Sequence, residues 1–211
     1  MNPNILDITL YSIGLLLSLL IGLSSYKGYR VTASPTMLRL TLAFLSLSLT
    51  FLLNVIELYF TEVHTIIFIP TTIAYFFLAY AYTIQSGFKY MIPLLALITF
   101  AISPFFSISG NVIEYVSKAV AFILLVYGST ESMVIALPKA RIDKSSLMIP
   151  TGLSLIALGE FVSWYDLIFT NTRAYFYTSM IIKISGLALI YATIHILLTN
   201  KTRVRFSSSS N

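Results

Sequence analysis

The sequence predicts an all-α, polytopic membrane protein, a bundle of seven transmembrane helices in a single domain over residues 1–211. Three observations carry this. The chain is 57% hydrophobic and 10% charged, against roughly 25% charged in a soluble domain. Its apolar runs are about 19–25 residues long, enough to cross a bilayer as helices and about twice the length of a membrane β-strand. The charges between the runs alternate from one side to the other.

Seven windows fit the first two criteria: Ile8–Tyr26, Leu40–Phe60, Thr65–Ile84, Tyr90–Ile108, Tyr115–Leu137, Leu147–Phe169 and Ala174–Thr199. The N-terminus has no basic region and no A-x-A cleavage site, so the first window is expected to remain as a span. Pro35 breaks the chain before window two. Pro70, Pro93, Pro104 and Pro150 fall within or at the edges of spans, where kinks are tolerated. Pro138 is expected to end window five, and Ser145–Ser146 to cap the helix of window six. Residues 205–211 close the chain as a serine-rich, unstructured tail.

Loop charges set the expected orientation. Lys27, Arg30, Arg39, Lys89, Lys139, Arg141, Lys144, Lys201, Arg203 and Arg205 all fall on one side, and Glu57, Glu62, Glu114 and Asp166 fall on the other. By the positive-inside rule the N-terminus is outside and the C-terminus is cytoplasmic, in a cell membrane. The net charge of +5 is then a set of topology anchors facing anionic headgroups; nucleic acid is not an expected partner. Residues 36–84 and 146–194 share spacing and direction of insertion at a constant offset, which allows a 3+1+3 parallel repeat with window four as linker.

Catalytic signatures are missing. There is no H-E-x-x-H, G-x-S-x-G, P-loop or dinucleotide fingerprint, and the loops are too short for a nucleotide site. An enzyme is not expected. With no cysteine and only His64 and His195, at opposite ends of their spans, neither a metal nor a haem cofactor is expected.

The chemistry that remains is a set of ionisable groups within spans, which are costly there and need a partner or a purpose. Lys183 lies near the middle of window seven. At about 1.5 Å per residue it sits roughly 14 Å from the outer end, and Glu160 in window six sits at a similar depth. That match makes Lys183–Glu160 the expected pair. Glu131 lies about 24 Å in and is second choice. Ser179 and Gly186 share a face with Lys183; Ser163 and Trp164 with Glu160; Tyr127 and Gly128 with Glu131. Together they predict a polar seam between windows five, six and seven, with Lys183, Glu160, Glu131, Trp164 and Tyr127 as ligand-binding or gating candidates. The bland alternative is an ion pair that only fastens two helices.

Lys183 in a seventh helix, with an outside N-terminus, resembles the microbial rhodopsins, whose retinal is held on a lysine of helix seven. The resemblance rests on topology and that one lysine. It implies a chromophore on Lys183, but window three carries no acid for a counter-ion, Ser179 stands where that family has an acid, and no proline follows Trp164–Tyr165.

The expected function is therefore that of a receptor-like or transporter-like membrane protein. The alternative is a non-catalytic accessory subunit of a larger membrane complex. Gly14, Ser18 and Gly22, each four residues apart, form a small-residue stripe that packs within the chain or against a partner subunit or second copy.

Overall fold

A computed structural model of the chain describes residues 4–60, 63–82, 110–140, 144–170 and 172–208. Six long helices occur among them: α1 (Ile5–Thr32), α2 (Pro35–Glu57), α3 (His64–Ala81), α4 (Gly110–Ala140), α5 (Met148–Tyr165) and α6 (Arg173–Ser208). The described residues contain no strand. Window four lies outside them. Windows five, six and seven therefore correspond to α4, α5 and α6.

Among the described residues, five helical segments are long and apolar enough to cross a membrane: Ile5–Thr32, Pro35–Glu57, Val116–Pro138, Met148–Phe169 and Arg173–Leu197; Ile66–Ala81 is a shorter apolar helix. No more than 44% of any of these five apolar stretches is buried inside the protein. The outward faces carry Leu16, Leu23, Leu49, Ile69, Ile123, Leu158 and Ile181, all exposed. A continuous apolar exterior of this kind has no place in water and fits a lipid bilayer.

Neighbouring helices form a ring in which each packs on the one before it and α6 returns to α1. Side-chain contacts give the directions. α1 and α2 are antiparallel, since Gly14 meets Phe51, Gly22 meets Leu45 and Gly28 meets Met37. α2 and α3 are antiparallel as well: Thr71 donates to Thr50 at 3.3 Å, and Arg39 donates to the Tyr80 carbonyl at 3.2 Å while lying 3.8 Å over the Tyr80 ring. Arg39, expected as a plain topology anchor, thus also ties these helices together by a cation–π contact. α3 and α4 run parallel, with His64 near Glu114 at one end and Ala79 against Gly128 further along. α4 and α5 are antiparallel through Ser129–Ser154 at 2.6 Å and Phe122–Phe161. α6 runs antiparallel to α5 and parallel to α1, where Tyr11 meets Phe176 edge-on and Asn4 donates to Tyr177 at 2.8 Å.

Local structure departs from the sequence reading at several points. Helix α4 continues through Pro138 to Ala140; the proline withholds one donor from the i→i−4 ladder, but only two residues of the helix follow it. Ser145–Ser146 do not cap α5. They lie in a 3₁₀ turn, Lys144–Leu147, the N-cap position is Leu147, and the Ser146 hydroxyl instead donates to the Ala136 carbonyl at 3.3 Å. Helix α6 carries the backbone to Ser208, and the rest of the expected tail lies outside the described residues. Gly14, Ser18 and Gly22 are buried on α1 and face the chain's own α2. A partner subunit or second copy cannot use that stripe, because Phe51 and Leu45 already fill the space beside it.

The turn between α1 and α2 has a strained residue. Ala33 sits in the left-handed region at φ 50°, with its N–H on the Tyr29 carbonyl at 2.7 Å. Glycine is the residue that tolerates this helix end. Ala33→Gly is expected to stabilise the protein by about 0.5–1 kcal/mol, read as a raised unfolding temperature in detergent; a lowered one refutes the strain.

Candidate functional site

Inside the ring is a cavity of about 310 Å³ to which all six helices contribute. Its lining comes from the first part of α1, α3, α4 and α6 and the last part of α2 and α5. Given the helix directions, the cavity therefore lies toward a single end of the ring, and Lys183 and Glu160 are its most buried ion pair.

Lys183 reaches that position because α5 has no side chain in its way. A Cβ on Gly159 would stand 2.5 Å from Lys183 Cγ. The aliphatic stem lies along this gap, and Nζ then sits 2.9 Å from Glu160 Oε1. Glu160 is 6% exposed and Lys183 is half-buried. The pairing expected from equal depth is thus present in the geometry. A third member comes from across the ring: the Tyr75 hydroxyl of α3 donates to the same Glu160 oxygen. Charge-assisted hydrogen bonds are the strong ones, and these two tie α3, α5 and α6 together at the cavity floor. Ser163 and Ser179, which share faces with Glu160 and Lys183, also line the cavity.

Nearer the helix ends is a second cluster. Lys118 Nζ lies 2.8 Å from Glu114 Oε1 on the same face of α4. His64 pairs with Glu57 through Nδ1, and its Nε2 lies 3.7 Å from Glu114 Oε2. These contacts link α2, α3 and α4. Between the two clusters the walls are largely apolar and aromatic, with Leu47, Phe51, Phe68, Phe176 and Met180. Among the described residues no group of three His, Asp or Glu side chains is arranged to hold a metal ion.

Three of the expected site residues lie elsewhere. Glu131 is ten residues beyond Ala121, the last cavity residue of α4, or about 15 Å further along the helix. Tyr127 packs against the core cluster. Trp164 stacks beside Phe161 with ring centroids 6.2 Å apart, outside the cavity lining. The polar seam is consequently centred on α3, α5 and α6 rather than on windows five to seven alone. Sequence reasoning missed Tyr75, His64, Glu114 and Lys118. Only Glu114–Lys118 left a signal, as an acid followed four residues later by a base.

Ring, apolar exterior and charged interior cavity together define a helical membrane protein with a buried polar chamber. No family model matches the chain, and no curated protein or solved structure matches it either.

Proposed function

We propose that this chain is a receptor-like or transporter-like membrane protein that binds a small solute in the cavity above Lys183 and Glu160. One observation supports this most: six helices converge on a charged chamber large enough for a small molecule, at the lower end of the usual range for ligand pockets. A fastening ion pair needs no such space. Ionisable groups inside a membrane span mark solute and ion pathways.

The positive-inside orientation puts the cavity toward the outside, where Glu57 and Glu114 stand at the helix ends. The seven-span count is supported by α3 and α4 running parallel, because an alternating chain needs one further crossing between them. The 3+1+3 repeat draws on the same parity. An accessory-subunit role draws nothing from the small-residue face of α1, which packs on α2. The retinal-type reading keeps only Lys183; the carboxylate beside that lysine comes from α5 and not from the third helix.

The test uses the full chain reconstituted in vesicles and a panel of small solutes, read by binding and by flux. Lys183→Met and Glu160→Gln are each expected to change the affinity for a charged solute about tenfold or more, in opposite directions, the scale of one lost charged hydrogen bond. If both variants bind and transport as the wild type does, the cavity is not a working site.

A further inference from the structure

Among the described residues, the ionisable groups that line the cavity do not balance. Glu57, Glu114 and Glu160 are carboxylates; Lys118 and Lys183 are ammonium groups; His64 is the sixth. With a neutral histidine the lining carries one surplus negative charge. An unbalanced charge in a partly enclosed, low-dielectric chamber is costly and attracts a compensating ion. The hydrogen bonding points the same way. Among the described residues, both contacts to the Glu160 carboxylate fall on Oε1. Its Oε2 keeps its acceptor capacity at the cavity wall, on a side chain 8% exposed.

The remaining walls add a second feature. Tyr11, Phe51, Phe68 and Phe176 come from four different parts of the ring and surround the same space. Aromatic faces attract organic cations, and more strongly when the cation is desolvated. The volume corresponds to about ten water molecules at ~30 Å³ each, which suits a molecule of roughly a dozen heavy atoms or fewer.

Resting on the ligand-binding reading above, we infer that the cavity selects a small organic monocation: an amine with an apolar or aromatic body, its nitrogen directed to Glu160 and its body held among the phenylalanines. A monoanion would double the surplus charge. A zwitterion would leave it uncorrected. Only a monocation brings the chamber to neutrality.

Three probes that share one ring separate the classes: phenethylamine (cation), phenylalanine (zwitterion) and phenylacetate (anion). They are titrated into the purified full chain at mildly alkaline pH, by calorimetry and by ligand-induced thermal shift. Phenethylamine is expected to bind tightest of the three. Two variants at the outer cluster then carry opposite signs. Glu114→Gln removes the surplus and is expected to weaken phenethylamine about tenfold; Lys118→Met adds to it and is expected to strengthen phenethylamine by a similar factor, since each changes the charge beside the ligand by one unit. A general folding lesion would weaken both. Tighter binding of phenylacetate or phenylalanine overturns the cation assignment and leaves the ligand-binding reading standing. Equal binding of all three, no binding of phenethylamine, or the same sign in both variants also overturns the assignment; the vesicle experiment with Lys183→Met judges the broader reading separately.

Discussion

Lys183→Met is expected to cost about 3–5 kcal/mol of stability, the range for breaking a buried ion pair by removing one partner. Its cause is the carboxylate left behind. Glu160 is buried, and without Lys183 Nζ at 2.9 Å the hydrogen bond left to it among the described residues is that from the Tyr75 hydroxyl. Methionine keeps the length and flexibility of the lysine stem, so the packing against Gly159 survives and the loss reports charge rather than shape. The double variant Lys183→Met/Glu160→Gln is expected to recover most of the loss. Glutamine still accepts from Tyr75, and no uncompensated charge remains. Replacing both members of a buried pair is often near neutral. Thermal unfolding of wild type, both single variants and the double in one detergent closes the cycle. Losses that simply add in the double would show that the two charges are not coupled. The cycle also separates fastening from function: a double variant that is stable but no longer binds solute assigns the pair to the ligand, because its structural part has been restored.

The sequence reading was good where distance along one helix decided the matter. Six of the seven windows coincide with described helices to within a few residues at most of their ends. The equal depth of Lys183 and Glu160 followed from the rise per residue alone. Tyr75 could not be found that way. It reaches Glu160 across the interior from a helix that does not neighbour α5 in the ring, a contact that no spacing along one helix encodes. His64 is a similar case. At the start of α3 it reads only as a residue at the outer end of its span, and the parallel run of α3 and α4 sets Glu114 beside it. Glu131 shows the converse: its position ten residues past Ala121 leaves it about 15 Å beyond the last cavity residue of its own helix. The small-residue stripe of α1 was recognised for what it permits, close approach of a backbone; which helix approaches is a tertiary fact.

Glycine-to-alanine changes are expected to have opposite effects at two places on these faces. At Gly186 an added Cβ would stand 2.6 Å from the Gly152 carbonyl oxygen and 2.9 Å from Ile156 Cγ1. The reciprocal position is as tight, with a Cβ on Gly152 lying 2.6 Å from Ile190 Cγ1 and 2.9 Å from the Gly186 carbonyl oxygen. The nearest obstacle at Gly186 is backbone, which cannot turn aside as a side chain can, so α5 and α6 must move apart. Gly186→Ala is expected to destabilise by about 1–3 kcal/mol, the usual cost of overpacking. Gly186 is three residues from Lys183, so the same separation lengthens the Lys183–Glu160 contact, and solute binding is expected to fall together with stability. Gly28→Ala is the control. There the nearest atom is Met37 Sδ at 3.5 Å, an ordinary contact with a flexible side chain. Alanine gains helix propensity of about 1 kcal/mol over glycine, so this variant is expected to unfold at a slightly higher temperature with binding unchanged. If the two variants shift the unfolding temperature equally, close backbone contact between α5 and α6 is not what positions Lys183 against Glu160.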